Sequence, residues 1–180
     1  MSIVTLGRHS YIVGTVKNTF PVSNLIIGNF TSIASGLTVM LGGNHATNLV
    51  MTTNFVNLIP DMFAGLPNPF PITGLTKGDI VIENDIWIGQ DVTIMSGVHI
   101  SSGAIVGTAS VVCVDIPPYA VVIGNPAIII KYRFNQEIIK RLLKIAWWDW
   151  PLEKIRENYD FFINPNIELF VNKFDPKEAE

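Results

Sequence analysis

Between residues 82 and 116 every sixth position carries a branched aliphatic side chain: Ile82, Ile88, Ile94, Ile100, Val106 and Val112. A second stripe keeps the same period in the fifth slot of each unit, at Ile86, Val92, Val98, Ala104, Ser110 and Ile116. Six residues are not close to a whole number of helical turns, and an alternating strand does not favour six over two. The period fits a coil with three sides of six residues, its branched side chain turned into a prism and its fifth slot beside a bend. Such coils stack through backbone hydrogen bonds at a spacing of about 4.8 Å. Gly89, Gly97, Gly103 and Gly107 fall at or near the bends, where tolerance of positive φ is useful.

The same phase appears earlier at Ile27, Ile33 and Val39, with Thr31 and Leu37 in the fifth slot. It fades toward the N-terminus, so residues 3–16 read as an irregular first coil. The segment 46–78 is aperiodic and carries Pro60, Pro67, Pro69 and Pro71 with Phe55, Phe63 and Phe70. Inserts this long in a compact domain tend to be functional, and it reads as an excursion loop. Its aromatics either face a ligand or fasten the loop to the prism.

After Lys131 the pattern turns helical. Asn135 is a good N-cap, and Ile138, Ile139, Leu142, Leu143 and Ala146 share one face. Trp150 and Pro151 interrupt it, and Asp149 with Pro151 suits the start of a second helix containing Leu152, Ile155 and Tyr159. Because solenoids need covered ends, this part is expected to cap the prism, with Trp147, Trp148 and Trp150 as packing residues and a frayed tail from Lys173.

A chain of 180 residues supports one domain, divided here into a solenoid over 1–131 and a helical extension over 132–180. Hydrophobic residues make up 48% and charged residues 15%, with a mean hydropathy of +0.37, which points to surface covered by oligomerisation. The richest apolar stretch, 116–130, is broken by Pro117, Pro118, Asn125 and Pro126, so no membrane span is expected. Arg8 and His9 stand where a signal peptide would place its apolar centre, and the lone Cys113 cannot form an internal disulfide. These features place the chain in the cytoplasm. A net charge of -3 and scattered Lys and Arg residues give no nucleic-acid footprint.

The segment KGDIVIENDIWIGQDVTIMSGVHISSGAIVGTASVV, followed by VIGNPAIIIKYRF and WWDWPLEKI, resembles the xenobiotic acetyltransferase branch of the hexapeptide-repeat acyltransferases. That branch acts on chloramphenicol and streptogramin A and is related to sugar O-acetyltransferases. The resemblance implies a left-handed parallel β-helix, although parallel crossovers in general favour the opposite hand. It also implies a homotrimer with active sites between subunits, acetyl-CoA as co-substrate and a small-molecule hydroxyl or amine as acceptor.

The family's catalytic histidine lies where the excursion begins, in a motif like GNHRTDW. This sequence has GGNHATN there, which makes His45 the candidate general base. By the same resemblance the cofactor lies near Trp87, Gly89, Gly107, Thr108, Ala109, Asn125 and Pro126, with Lys131 and Arg133 available for phosphates. A second reading stands beside it: Trp87 packs between subunits, the glycines only make bends and Lys131 is solvated. Asn44, Asn48 and Phe55 belong to the acceptor region. There the sequence departs from the family, with Asn48 in place of an aspartate, so hydrogen bonding is kept and charge is lost.

The chemistry asks for little more. A neutral hydroxyl attacks a thioester slowly, and an imidazole can take its proton as the C–O bond forms. CoA already carries the activated group, so Cys113 is not needed as a nucleophile. His9, His45 and His99 lack the close pairing of a three-histidine zinc site, and no metal is expected. O-acetylation is the leading reading; acetylation of an amino-sugar nitrogen and a non-catalytic solenoid subunit are the alternatives.

Overall fold

The computed structural model describes residues 3–68 and 75–175; the expectations for Pro69, Phe70 and Pro71 fall outside the described residues. Short strands wind into four full coils and a partial fifth. The first coil is β1 (Val4–Leu6), β2 (Tyr11–Ile12) and β3 (Lys17–Thr19), and the second is β4 (Leu25–Ile27), β5 (Ser32–Ile33) and β6 (Thr38–Met40). The third is β7 (Ile80–Ile82), β8 (Trp87–Ile88) and β9 (Thr93–Met95), and the fourth is β10 (His99–Ile100), β11 (Ile105–Val106) and β12 (Val111–Val112). Ile116 then bridges to Ile100, β13 (Ala120–Ile123) pairs with β11, and β14 (Ile128–Tyr132) folds back antiparallel on β13.

Equivalent sides of successive coils stack into three sheets, all parallel except for β14. The first face is β1-β4-β7-β10, the second β2-β5-β8-β11-β13-β14 and the third β3-β6-β9-β12. Both sequence stripes point inward: every residue from Ile82 to Val112 at the six-residue step is 0% exposed, and the fifth-slot residues are all buried. Each fully buried aliphatic side chain is worth roughly 2 kcal/mol. The prism is therefore held by a column of near-identical contacts rather than by a single centre.

The first coil is more regular than expected. Val4, Thr5 and Leu6 pair in register with Leu25, Ile26 and Ile27, and Tyr11 and Ile12 with Ser32 and Ile33. Leu6, Ile12 and Asn18 keep the six-residue step, but the polar Asn18 interrupts the aliphatic stripe and nine residues, not six, separate it from Ile27. The glycines also divide by role. Gly97 and Gly103 have positive φ, whereas Gly89 and Gly107 are not among the positive-φ residues; Gly89 lies against the backbone of the next coil and Gly107 against the Ile123 side chain.

The excursion leaves the third face after β6 and returns at β7. It holds two helical turns, α1 (Phe55–Leu58), capped by the Asn54 side chain accepting from Asn57 N, and α2 (Pro60–Phe63). Phe55 stacks on Phe63 with ring centroids 5.4 Å apart, so these aromatics fasten the loop to itself.

The C-terminal part is α3 (Gln136–Ile145), a 3-10 turn over Trp147–Asp149, α4 (Leu152–Glu157), α5 (Tyr159–Phe162) and α6 (Ile167–Phe174). Asn135 caps α3 by accepting from Ile138 N at 2.9 Å. Asn158 leaves helical geometry, so Tyr159 opens α5 instead of extending α4, and α6 runs to Phe174, while the tail expected to fray lies outside the described residues from 176 onward.

These helices lie along the edge between the first and second faces, which corrects the expectation of an end cap. One residue per coil turns that edge with positive φ: His9, Phe30, Asp85, Gly103 and Tyr119. Arg8 in the first coil donates to the Trp148 and Trp150 carbonyls, both at 2.6 Å, and the Phe30 ring packs 5.1 Å from Trp147. At the other end Tyr119 packs 5.7 Å from Phe134. The helical part thus runs along this edge, packing on aromatic rings at its two ends, Phe30 and Tyr119. The top is closed instead by the turn between β13 and β14, where Val111 N donates to Gly124 O and Ala127 N to Val111 O, both at 2.9 Å.

Candidate active site

The GGNH segment owes its form to what it packs against. Gly43 has φ +81, and a Cβ there would meet the Phe20 ring at 2.4 Å, so only glycine lets the chain pass. Asn44 then forms a two-bond bridge with Leu75, donating N–H to Leu75 O at 3.0 Å and accepting from Leu75 N at 2.9 Å. Its side-chain amide donates to Ser96 Oγ at 2.8 Å, and Lys77 N donates to the same oxygen at 3.3 Å. Both stems of the excursion are therefore tied to one buried serine in the turn after β9. Asp79 adds a further tie by accepting from Asn24 N at 2.7 Å.

His45 is the first residue beyond this neck and is exposed. Its Nδ1 lies 2.5 Å from the carbonyl oxygen of Thr52. A carbonyl can only accept, so Nδ1 carries a proton and the neutral ring has its lone pair on Nε2. Asn48 is exposed on the same stretch, and Phe55 lies a few residues further along in α1.

The expected cofactor residues fall into three places. Gly89, Gly107, Thr108 and Ala109 share the edge between the second and third faces, with Trp87 on the adjoining outer surface, 55% exposed. A Cβ on Gly89 would stand 2.6 Å from Thr108 N, so these coils touch backbone to backbone. The Thr108 N–H and hydroxyl have no hydrogen-bond partner among the described residues. Asn125 and Pro126 lie in the exposed turn at the top of the third face, joined by a cis peptide bond.

Lys131 is exposed on β14. Arg133 is set apart from the cofactor group. Its Nη1 donates to Asp85 at 3.1 Å and to Gly103 O at 2.8 Å, on the edge buttressed by the helices. The sequence reading missed Asp85 and Tyr119, the residues that hold it. His45 likewise stands at the edge between the third and first faces, so within one chain the third face separates it from Thr108.

His99 projects from the first face and donates from Nε2 to Glu83 Oε1 at 2.7 Å. Among the described residues no three His, Cys, Asp or Glu side chains converge on a common point, and no helix is long and apolar enough to cross a membrane.

No family model matches the chain. It is 36% identical to the chloramphenicol acetyltransferase of Escherichia coli over 193 residues, covering 98% of this chain and 90% of that protein. It is 42% identical to a probable macrolide acetyltransferase of Lysinibacillus sphaericus, covering 86% of each. Among solved structures, a hexapeptide-repeat acetyltransferase from Vibrio cholerae in complex with acetyl-coenzyme A superposes with a TM-score of 0.55 at 25% identity, over 73% of this chain. The chain spans 61% of that structure's length. A three-sided parallel solenoid with these relatives defines an acyltransferase of the hexapeptide-repeat class. Within that class the chain belongs to the family of the chloramphenicol and macrolide acetyltransferases.

Proposed function

We propose that this enzyme transfers the acetyl group of acetyl-CoA to a hydroxyl of an antibiotic-like small molecule, with His45 as the general base. The observation that carries the reading is the bond from His45 Nδ1 to the Thr52 carbonyl, which directs the ring's lone pair to Nε2. In the reaction, the acceptor oxygen attacks the thioester carbon while Nε2 takes the hydroxyl proton. The C–S bond then breaks, and the proton passes to the departing CoA thiolate. The Thr52 carbonyl dipole favours the positive charge that the ring carries between these steps.

The acetyl-CoA complex of the Vibrio relative and the open donors of Thr108 support a pantetheine arm along the second–third edge, where an amide carbonyl would accept from Thr108. Trp87 and the turn at Asn125 and Pro126 flank that path, and the exposed Lys131 of β14 is a cation available for a phosphate. Arg133 is held by Asp85 and Gly103 on the first–second edge, away from that path, which argues against a phosphate role there.

His45 and Thr108 stand on different edges of one prism. We infer a cyclic homotrimer in which the third–first edge of one copy meets the second–third edge of the next, on a left-handed helix. The exposed Leu49, Val50, Leu58, Met62 and Leu66 of the excursion supply apolar surface for such a contact.

The test is CoA release from acetyl-CoA in the presence of chloramphenicol, a macrolide, streptogramin A or simple sugars, with the product examined by mass and base lability. A base-labile ester on an antibiotic supports the reading. A stable amide, a sugar-only activity or no turnover with any acceptor contradicts it.

A further inference from the structure

A cavity lies away from His45, where the helices meet the first–second edge of the prism. It encloses about 450 Å³, within the size range of small-molecule sites. One wall is aromatic, formed by Phe134, Trp147, Phe161 and Phe162. The other carries Asp85 and Arg133, whose side chains are 26% and 30% exposed.

The polar wall is electrically balanced but incompletely used. Arg133 spends Nη1 on both of its bonds, to Asp85 Oδ2 and Gly103 O, leaving Nη2 and Nε with no hydrogen-bond partner among the described residues. Asp85 Oδ1 is likewise uncommitted. Burial pushes the Asp85 carboxyl up despite the guanidinium beside it, the mark of a carboxylate short of hydrogen-bond donors. The Tyr119 hydroxyl in the floor is buried without a hydrogen-bond partner among the described residues.

From these features we propose that this cavity is a second ligand site, for a neutral aromatic molecule bearing an amide. The amide oxygen accepts from the outward N–H groups of Arg133, its N–H donates to Asp85 Oδ1, and the ring lies among the phenylalanines and Trp147. A net charge on the ligand would oppose one member of the Asp85–Arg133 pair, and a hydrocarbon would leave both unsatisfied. The proposal does not depend on acetyl transfer or on His45. Because the cavity joins prism to helices, an occupant that binds only the folded chain also stabilises it.

Benzamide is the probe, added to the full chain without acetyl-CoA and followed by saturation-transfer NMR and Trp emission. Benzoate, benzylamine and ethylbenzene serve as comparisons. Expected are millimolar binding of benzamide, as suits a fragment of this size, a raised melting temperature and affinity about tenfold above that of ethylbenzene. Asn164→Trp, at the exposed rim, should abolish the signal while its circular dichroism matches that of the wild type. No saturation transfer to benzamide, equal or better binding of a charged analogue, or undiminished binding by a folded Asn164→Trp variant would overturn the proposal.

Discussion

The side-chain amide of Asn44 donates to Ser96 Oγ at 2.8 Å, joining the residue before His45 to a turn of the rigid prism. Lys77, on the returning stem, uses the same oxygen. Ser96→Ala removes the shared acceptor, at a cost of about 1 kcal/mol and a melting temperature lower by roughly 3 °C. Turnover should fall several-fold while CoA affinity holds, because the loosened neck carries His45 and not the Thr108 edge. Calorimetry and steady-state kinetics on one preparation check both outcomes.

Gly89 and Gly107 occupy equivalent corners but differ in what they touch. A Cβ at Gly89 meets the backbone nitrogen of Thr108 at 2.6 Å, and one at Gly107 meets the Ile123 Cγ2 methyl at 2.5 Å. A side chain can turn aside and a stacked coil cannot. Gly89→Ala is therefore expected to lose about 2–3 kcal/mol in urea unfolding, and Gly107→Ala about 1 kcal/mol.

Acid stability should depend on Glu83. Burial pushes its carboxyl up, but the Ser102 hydroxyl and N–H, with His99, outweigh that and hold it below the ordinary carboxylate value. A depressed folded value gives stability that is present above the unfolded value, near 4.5, and lost as pH falls through the folded one. Glu83→Gln should flatten this acid limb of a melting-temperature profile and leave its alkaline limb unchanged.

Mixed oligomers report whether His45 and Thr108 act across a subunit contact. Take His45→Ala and Thr108→Arg, each inactive alone, and anneal them in equal amounts. Random cyclic trimers then contain intact sites at about a quarter of positions, and a comparable share of wild-type activity returns. If both residues served one chain's own site, mixing would restore nothing.

How much of this was legible in the sequence follows from where contacts are periodic. The Ile82-to-Val112 stripe announced the prism because every coil places the same residue type in the same slot. The first coil was obscured by Asn18 and by three additional residues before Ile27. His45 stood out because the repeat stops beside it, yet its bond to Thr52 joins two positions within an aperiodic loop that has no pattern to read. The edge position of the helices was also hidden, since it depends on Arg8 reaching carbonyls about 140 residues away. The cavity is assembled from Asp85, Arg133, Trp147 and Phe161 on separate elements, none of which carries a motif for it.

His45→Ala removes the group proposed to accept the acceptor's proton. With acetyl-CoA and the best antibiotic acceptor, kcat should fall by about 10²-fold or more, given the usual worth of a general base, while CoA binding by calorimetry stays within about twofold of the wild type. Near-normal turnover by a folded His45→Ala variant would contradict the account.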